Sequence, residues 1–406
     1  MKRSRFNFDV KGDDCRIVYN SLYNSMVRMS EYEYLQYSKR RKATPDFEKE
    51  LVEQGLWVSD DTDELATYMV YCDLITKVPD KALSITVTTT MRCNARCKYC
   101  YEKGVRYGTM DKDTADNIVD MIRRLNSNGK SVYFTWFGGE PLMNTEIIDY
   151  ITEKMIEMDV DYSSYIITNG SLITEEIIKS FKEQWNVHNI QISFDGDCDE
   201  YEKRKDYTFG SGGFERVVNG VLMSAEAGIG VQIRLNIDSN NVESITQFIS
   251  HTKNIFSKYD NITYYPAFLS GSGKKLSDRK RVNILKKLLK TMNNPRMMSG
   301  NRRLYSMPRT SACMRYEDCS YVIDVNGHVY KCDRCVGRPE YAIGKSEDMS
   351  LRMAKEAEIR NKCKSCAFLP KCLGGCAMDY ENNFTPCFID KYLIRATMEL
   401  LAESDN

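Results

Sequence analysis

The chain has 406 residues, which is long enough for about two or three domains with a sizeable hydrophobic core. Lysine plus arginine and aspartate plus glutamate balance at 57 each, so the overall charge favours neither a nucleic-acid partner nor an acidic membrane surface. No run approaches the roughly 18 apolar residues of a membrane span, and the charged N-terminus has no apolar stretch behind it. We therefore predict a soluble cytoplasmic protein with no membrane partner.

Residues 1–80 have a pattern of their own. The strand-like runs CRIVYN and MVRMS precede three helical segments, EYEYLQYS, TPDFEKELVEQGL and DELATYMVYCDL. Thr44 before Pro45 is typical of a helix start, and Gly55 of its end. The order of these segments predicts a small winged-helix-like α+β domain.

From residue 81 to about residue 300, strands and helices alternate. Six strand candidates occur, and a helical stretch follows each of the first five: LSITVTTT, SVYFTWF, SYIITNG, NIQISFDG, VQIRLNI and ITYYPAF. This alternation predicts a parallel sheet that is either open or curled into part of a barrel.

The helix that follows the sixth strand, DRKRVNILKKLLKTM, is apolar on one side and strongly basic on the other. Val282, Leu285, Leu288 and Met292 form its apolar side. A solvated helix face explains the basic side most simply, and a groove for an acidic peptide is the alternative.

Residues 301–406 have little apolar periodicity before a final helix, predicted from about 388 to 402. Cysteines, glycines and short turns dominate the segment instead. A segment of this composition needs another source of stability, and metal centres would supply it.

The fifteen cysteines are unevenly distributed. Disulfides are rare in a reducing compartment, so these residues are either buried thiols or metal ligands. Cys15, Cys72 and Cys198 stand alone, and we expect them to be small buried side chains. The others form three clusters: Cys93, Cys97 and Cys100; Cys313, Cys319, Cys332 and Cys335; and Cys363, Cys366, Cys372, Cys376 and Cys387.

Cys93, Cys97 and Cys100 have C-x3-C-x2-C spacing and come directly after the first strand of the alternating region. Ligands in such folds bind beyond the carboxyl ends of the strands. Three thiolates hold three irons of a [4Fe-4S] cluster and leave the fourth iron without a protein ligand. Zinc would need a fourth ligand nearby, and none of the three histidines is close in the sequence.

This loop resembles that of the radical S-adenosylmethionine (radical SAM) enzymes. In that family the aromatic residue before the third cysteine, here Tyr99, lies against the adenine, and the open iron takes the amino and carboxylate groups of S-adenosylmethionine. The second strand should then end in a glycine-rich turn at the amino group, and WFGGEPL supplies Gly138, Gly139 and Glu140. Glycines allow close backbone approach, and the glutamate can neutralise the ammonium. The resemblance implies a partial (β/α)6 TIM-like barrel over residues 81–300.

The resemblance also implies further S-adenosylmethionine contacts. Asn169 ends the third strand and Ser193 lies at the end of the fourth, both on the rim where the cofactor should lie. Arg204 and Arg234 are candidates to pair with its carboxylate, with ordinary salt bridges as the alternative. The implied chemistry is cleavage of the cofactor to a 5′-deoxyadenosyl radical that abstracts a hydrogen atom, while the protein positions the target carbon and excludes water.

The C-terminal cysteines resemble in order and spacing the SPASM extension, which binds two auxiliary [4Fe-4S] clusters. By that resemblance residues 301–406 form a SPASM domain. A zinc ribbon is the alternative, and Cys335 can replace one of the eight ligands. The first cluster would be held by Cys313, Cys319, Cys332 and Cys376, and the second by Cys363, Cys366, Cys372 and Cys387.

Asp333 directly follows Cys332. In SPASM sulfatase-maturating enzymes an aspartate at this place is the base that deprotonates the substrate thiol or hydroxyl. The alternative is a residue that only caps a turn.

Residues 1–80 indicate the substrate class. Their element order resembles the peptide-recognition element fused to radical SAM maturases of ribosomally made peptides, in which the leader adds a strand to the sheet edge. We therefore expect a maturase that forms a thioether or related cross-link in a precursor peptide with a leader, and that receives electrons from a flavodoxin or ferredoxin. The acidic stretch SDDTDEL argues against a winged helix that binds nucleic acid.

Two other functions remain open from the sequence. One is an anaerobic sulfatase-maturating enzyme that oxidises Cys or Ser to formylglycine, which Cys332 and Asp333 favour and the N-terminal domain disfavours. The other is a non-catalytic iron-sulfur or zinc scaffold.

Overall fold

The computed structural model describes residues 1–76, 82–100, 102, 104, 108–126, 129–269, 276–293, 308–311, 313–352, 359–381 and 387–403. The chain divides into two compact units. The first unit comprises Met1–Val78, Lys275–Cys313 and Ala357–Asn406, and the second comprises Pro79–Lys274 and Met314–Glu356.

Strands and helices of the described residues are numbered in chain order. The strands are β1 (Lys2–Arg3), β2 (Asn7–Lys11), β3 (Arg16–Asn20), β4 (Met26–Met29), β5 (Trp57–Val58), β6 (Leu83–Thr90), β7 (Val132–Gly138), β8 (Tyr162–Thr168), β9 (Val187–Phe194), β10 (Gly230–Ile237), β11 (Ile262–Phe268), β12 (Ser320–Ile323), β13 (His328–Tyr330) and β14 (Gly344–Lys345). The helices are α1 (Glu31–Tyr37), α2 (Pro45–Glu53), α3 (Glu64–Thr76), α4 (Lys112–Leu125), α5 (Thr145–Glu157), α6 (Glu175–Glu183), α7 (Cys198–Lys205), α8 (Gly213–Glu226), α9 (Val242–Phe256), α10 (Asp278–Met292), the short helices Asn361–Lys364, Leu369–Cys372 and Ala377–Glu381, and the C-terminal helix (Ile389–Glu403).

The second unit is built around a nine-stranded sheet with the order β11-β10-β9-β8-β7-β6-β12-β13-β14. The six strands from β6 to β11 are parallel, which confirms the α/β fold class predicted from the alternating pattern. Residues of β6 are buried almost throughout, as expected for a parallel strand covered on both faces. The carboxyl ends of β6 to β11 therefore meet along one edge of the sheet.

Three short strands extend this sheet beyond what the sequence predicted. β12 lies parallel beside β6, with Ser320 opposite Ser84, and β13 and β14 follow antiparallel. The sheet is therefore mixed. Strands of two to four residues are too short to show an alternating pattern, so sequence periodicity does not reveal them.

Helices of the second unit cover the sheet with their apolar faces. In α4, Ile118 and Ile122 are fully buried, whereas Leu125 in the last turn is 38% exposed. Asp111 caps the start of α4 by accepting a hydrogen bond from Thr114 N at 2.9 Å. Aromatic rings fill the core near the middle strands, where the rings of Phe134 and Trp136 stack at 4.9 Å.

The first unit contains an antiparallel sheet with the order β2-β3-β4, followed by α1, α2 and α3. Thr44 caps α2 by accepting a hydrogen bond from Phe47 N, and the chain leaves the helix through Gly55 at φ 66°. Both boundaries agree with the predicted start and stop. β2, which the sequence pattern did not reveal, completes the sheet.

One face of the β2-β3-β4 sheet packs on the C-terminal part of the chain. Val10 and Ile17 belong to the same buried cluster as Ile394 and Met398 of the C-terminal helix. The rings of Phe8 and Phe368 lie 4.8 Å apart. N-terminal and C-terminal residues therefore share one hydrophobic core inside the first unit.

Helix α10 also belongs to the first unit and packs on the C-terminal helix. Its predicted apolar stripe, Val282, Leu285, Leu288 and Met292, is buried. The three-domain division by function remains a prediction. No helix in the described part of the chain combines the length and hydropathy needed to cross a membrane.

Candidate active site

Cys93, Cys97 and Cys100 lie in the loop that follows β6, at the edge where the parallel strands end. Burial is the main cause that raises the pKa of Cys93 to about 12 and the pKa of Cys100 above its usual value, and the charge of Cys97 adds to both. Cys97 is therefore within electrostatic reach of both Cys93 and Cys100. Within the described ranges, no three Cys, His, Asp or Glu side chains converge on one point as ligands of a single ion do.

Backbone hydrogen bonds hold this cysteine loop against the segment after β9. Arg96 N donates to Lys205 O at 2.8 Å, and Thr208 N donates to Asn94 O at 2.8 Å. Lys205 ends α7, and the chain then turns at Asp206 with φ 48°. The position of the loop thus depends on residues more than one hundred positions later in the sequence.

A buried ionic network lies beneath the loop. Tyr99 donates its hydroxyl to Asp195 Oδ2 at 2.8 Å, and Lys205 Nζ lies 3.2 Å from the same oxygen. Lys205 also donates to Ser193 Oγ at 2.6 Å. Asp195 is fully buried and Lys205 is 2% exposed. Asp195 and Lys205, which the sequence analysis did not select, thus connect the predicted residues Tyr99 and Ser193.

One oxygen of this network is unsatisfied. Asp195 Oδ1 is buried and has no hydrogen-bond partner among the described residues. Buried acceptors are normally paired, so this carboxylate oxygen is an acceptor available to the donor of a bound molecule. Asn236, which lies in β10, donates a hydrogen bond from Nδ2 to Tyr99 Oη at 3.3 Å.

Gly138 and Gly139 allow the ends of β7 and β6 to approach closely. A Cβ atom on Gly138, which has φ 134°, would overlap Thr90 O, and one on Gly139 would lie 2.5 Å from Arg92 O. Gly139 N donates to Thr90 O at 2.9 Å instead. The glycines therefore seat the turn directly against the backbone that leads into the cysteine loop.

Glu140 is fully buried and forms three hydrogen bonds. It accepts from Thr168 Oγ1 at 2.7 Å, Asn169 N at 2.7 Å and Leu142 N at 3.1 Å. Burial raises the pKa of its carboxyl. The carboxylate thus ties the end of β7 to the end of β8, and its predicted contact with the cofactor ammonium remains a prediction.

Asn169 lies beside the first cysteine. Its Nδ2 donates to Asn94 Oδ1 at 2.8 Å and is 3.9 Å from Cys93 Sγ. Asn94 in turn donates to Ser171 Oγ at 2.9 Å. Asn94 and Ser171 were not predicted, although Asn94 directly follows Cys93 and Ser171 is two residues after Asn169.

The two arginines have different surroundings. Arg204 donates from Nη1 and Nη2 to the two oxygens of Asp238 at 2.8 and 3.2 Å, and from Nε to Glu200 Oε1 at 2.5 Å. These are the salt bridges given as the alternative for Arg204. Arg234 donates from Nε to Asn236 Oδ1 at 3.1 Å, and Asn236 also contacts Tyr99.

Asp333 begins a short 3-10 turn, and its Oδ1 accepts a hydrogen bond from Arg334 N at 2.9 Å. Burial, and then the charge of Asp333, raise the pKa of Glu102 to about 7. Glu102, two residues after Cys100, was not predicted as a site residue. The turn that carries Asp333 therefore lies within electrostatic reach of the cysteine loop.

Cys332 and Cys335 are neighbours in this turn. A hydrogen bond between the two thiols, followed by burial, raises the pKa of Cys332. The same hydrogen bond lowers the pKa of Cys335, although burial opposes this shift. Cys335 therefore lies beside Cys332, a predicted ligand of the first auxiliary cluster.

Four cysteines of the first unit lie near one another. Burial and, to a smaller extent, the charges of Cys366, Cys387 and Cys363 raise the pKa of Cys372 to about 11. These are the four residues predicted to hold the second auxiliary cluster. Of the first auxiliary set, Cys313 and Cys376 belong to the first unit and Cys319 and Cys332 to the second, so that set remains a prediction.

The residues present fit a [4Fe-4S] cluster with S-adenosylmethionine beside it. Three thiols on one loop supply sulfur donors and leave one iron for the cofactor. The unsatisfied Asp195 Oδ1 provides an acceptor next to Tyr99.

Comparison with known proteins is consistent with this site. Residues 87–250 match the Radical SAM superfamily. Over 359 residues the chain is 25% identical to the cysteine-type anaerobic sulfatase-maturating enzyme of Clostridium novyi. The aligned region covers 75% of this chain and 90% of that protein.

Two solved structures share the fold. Native anSMEcpe with bound AdoMet superposes with a TM-score of 0.60 at 20% identity, over 78% of this chain and 96% of that chain. Streptococcus suis SuiB bound to precursor peptide SuiA superposes with a TM-score of 0.53 at 16% identity, over 96% and 99% of the two chains.

Proposed function

We propose that this chain oxidatively modifies a ribosomally synthesised precursor peptide. The premise is that it carries a radical SAM domain and is a radical SAM enzyme. The expected product is a thioether or a related cross-link. The likeness to SuiB bound to its precursor peptide carries the proposal, because it extends over 96% of this chain, a share that includes most of residues 1–80. The likeness to anSMEcpe covers 78%.

Cys93, Cys97 and Cys100 would hold the cluster that binds S-adenosylmethionine. When bound, the cluster and S-adenosylmethionine supply a 5′-deoxyadenosyl radical that abstracts a hydrogen atom from the substrate. Asp195 orients Tyr99 through a 2.8 Å hydrogen bond and keeps one oxygen for a donor. Preorganised contacts of this kind fix the geometry in which the hydrogen atom is transferred.

The other predicted residues would have two kinds of role, contact with the cofactor and positioning of neighbouring residues. Asn169, Ser193 and Arg234 would contact S-adenosylmethionine directly, and the turn at Gly138 and Gly139 would offer its backbone. Glu140 would act as a positioning residue through its bonds to the end of β8. Arg234 is the better carboxylate partner than Arg204, because Asp238 and Glu200 already bind Arg204.

Two auxiliary clusters, three clusters in all, complete the proposal. The proximity of Cys363, Cys366, Cys372 and Cys387 supports the second auxiliary set. Anaerobic reconstitution should give about twelve irons per chain, and the double variant Cys363→Ala/Cys366→Ala about eight. Cys198→Ala, which alters a cysteine outside the clusters, should leave the iron content unchanged. Zinc in place of iron at the C-terminal cysteines would refute the auxiliary clusters.

The main proposal is tested by the mass of a short cysteine-containing peptide encoded beside this gene. The peptide is incubated anaerobically with the reconstituted, reduced enzyme and S-adenosylmethionine. We expect a loss of two hydrogens and a cysteine that no longer reacts with an alkylating reagent. A Cys97→Ala variant should leave the peptide unchanged.

Sulfatase maturation is the second candidate. It is favoured by the identity with the Clostridium novyi protein over 90% of that protein and by Asp333, where a base would be expected. Conversion of a sulfatase-derived cysteine peptide to formylglycine, with the neighbouring precursor peptide unchanged, would replace the main proposal by this one. Formation of 5′-deoxyadenosine in both cases shows that the radical chemistry is intact.

We further propose a flavodoxin or ferredoxin as the electron donor and a cytoplasmic location. The fifteen cysteines support the location, because none of them, all within the described residues, is paired in a disulfide, and a reducing compartment keeps thiols in that state.

A further inference from the structure

A basic groove lies in the N-terminal part of the first unit. Four consecutive cationic residues, Lys39–Lys42, line it directly after α1. Trp57 forms part of its wall and Glu48 is the acidic lining residue. The groove has a volume of about 490 Å³. No motif in the sequence analysis pointed to this run.

The backbone of Lys39–Lys42 is held in place from beneath. Lys39 adopts φ 61°, and the amides of Arg40 and Arg41 both donate to Leu35 O, at 2.9 and 3.1 Å. The buried side chain of Gln36 donates from Nε2 to Lys42 O at 3.0 Å. Because the backbone is fixed, a ligand loses little free energy in ordering it.

The cationic side chains themselves are exposed to solvent. The Arg41 guanidinium lies 5.3 Å from the centre of the Tyr32 ring, and Lys39 Nζ lies 5.2 Å from that of Trp57. Within the described part of the chain, no carboxylate forms an ion pair with Arg40, Arg41 or Lys42. The whole chain has equal numbers of acidic and basic residues, so the cations that line the groove are a local excess of positive charge.

The margin of the groove is negatively charged. Lys39 Nζ donates to Met1 O, and the amino group of Met1 lies 2.7 Å from Asp60 Oδ2. Asp61 and Asp63 follow Asp60 in the sequence. A phosphate backbone that ran on past the groove would meet these carboxylates, whereas a short acidic peptide segment would not.

We propose that the groove lined by Lys39–Lys42 binds an acidic segment of the precursor peptide, an inference that rests on the proposed peptide-modifying function. Guanidinium groups bind carboxylates through paired hydrogen bonds, and the aromatic surfaces of Tyr32 and Trp57 contact the aliphatic parts of the side chains. The groove selects the charge of the substrate, separately from any strand that the peptide adds to the β2-β3-β4 sheet.

The test measures binding of two fluorescent twelve-residue peptides that differ only in four positions, all Glu in one and all Gln in the other. We expect the full-length enzyme to bind the Glu peptide more tightly, with an affinity that falls as salt is added. The double variant Arg40→Gln/Lys42→Gln should weaken binding of the Glu peptide roughly tenfold, since each lost contact is worth up to about 1 kcal/mol.

A matched control removes two exposed cations elsewhere, Lys182→Gln/Lys280→Gln, and should change the affinity less than about twofold. Equal weakening by both variants would overturn the proposal, because only net charge would then matter. Equal or tighter binding of a single-stranded oligonucleotide of the same charge would also overturn it, in favour of a nucleic-acid site. Formation of 5′-deoxyadenosine is measured in parallel, so failure of the radical chemistry is distinguished from failure of the groove.

Discussion

Lys205 is a buried cation at the site that no sequence motif reveals. Its ammonium joins Asp195 and Ser193, and its carbonyl oxygen receives the amide of Arg96 in the cysteine loop. A single residue therefore connects the end of β9, the end of α7 and the loop of the first three cysteines. The residue is defined by its partners, and these are far from it in the sequence.

Replacement of Lys205 by methionine should destabilise the fold. Lys205→Met leaves the Asp195 carboxylate buried without its cation, which costs about 3 kcal/mol of unfolding free energy. Urea unfolding of the cluster-free chain at pH 7 measures this. Lys182→Met, at an exposed lysine, should cost less than about 0.5 kcal/mol. A Lys205 variant as stable as this control would show that the ion pair contributes nothing.

Asp238 should make stability depend on pH. Burial alone would raise the pKa of Asp238, but hydrogen bonds from Arg204 outweigh it and lower the pKa below its ordinary value. The folded chain therefore gains stability from the ionised group above the unfolded pKa of about 3.9, and loses this gain as the pH falls through the folded pKa.

The matching variant is Asp238→Asn. We expect it to be roughly 1–2 kcal/mol less stable than the wild type at pH 7. The difference should shrink between about pH 5 and pH 3 in urea unfolding of the cluster-free chain. A difference that stays constant down to pH 3 would show that Asp238 has the same pKa in the folded and unfolded chains.

At the scale of elements, the site is assembled where strand ends meet. β6 leads into the cysteines, β7 into the glycine turn and β8 into Asn169, so three consecutive parallel strands bring three motifs to one edge. Parallel pairing places all carboxyl ends on the same side, which is why motifs about 30 to 45 residues apart in sequence become neighbours in space.

The contact between β7 and β6 gives a prediction about backbone space. Gly138→Ala should lower the free energy of unfolding by roughly 3 kcal/mol, since the new Cβ would overlap Thr90 O at a positive φ. Gly228→Ala is the control, because Gly228 has φ 82° and, apart from its chain neighbours, no described residue has an atom within 4 Å of its Cβ position. It should cost only about 1 kcal/mol. Equal losses would mean that φ alone, and not the contact between strand ends, requires a glycine at position 138.

At the scale of the whole molecule, the two ends of the chain fold together. The cluster that contains Ile17 and Ile394 joins the β2-β3-β4 sheet to the C-terminal helix, and Phe368 of the cysteine-rich segment belongs to it. Deletion of residues 1–80 would therefore expose apolar side chains near the second auxiliary set as well as remove peptide contacts. Point variants are the cleaner test of peptide recognition.

The shared core predicts joint unfolding of the first unit. Ile394→Ala should cost about 3 kcal/mol, since Ile394 is 1% exposed. In hydrogen exchange, amides of β3 and of the C-terminal helix should lose protection together. Ile255→Ala, at a side chain 41% exposed, should leave both unchanged. Loss of protection in the C-terminal helix alone would show that the two ends of the chain fold separately.

Local signals in the sequence were sufficient for much of this protein. The spacing of Cys93, Cys97 and Cys100, the turn at Gly138 and the cap at Thr44 each depend on residues within a few positions. The six parallel strands were likewise predicted from short strand-like runs that alternate with helical stretches. These features can be predicted from the sequence because their physical cause lies in neighbouring residues.

Only the tertiary structure decided the rest. It paired Arg204 with Asp238, placed Lys205 beneath the cysteine loop, added β12 beside β6 and put the N-terminal sheet on the C-terminal helix. Ion pairs, strand pairing and a shared core join residues that are far apart in the chain. Their energy depends on burial and distance, which no local spacing specifies.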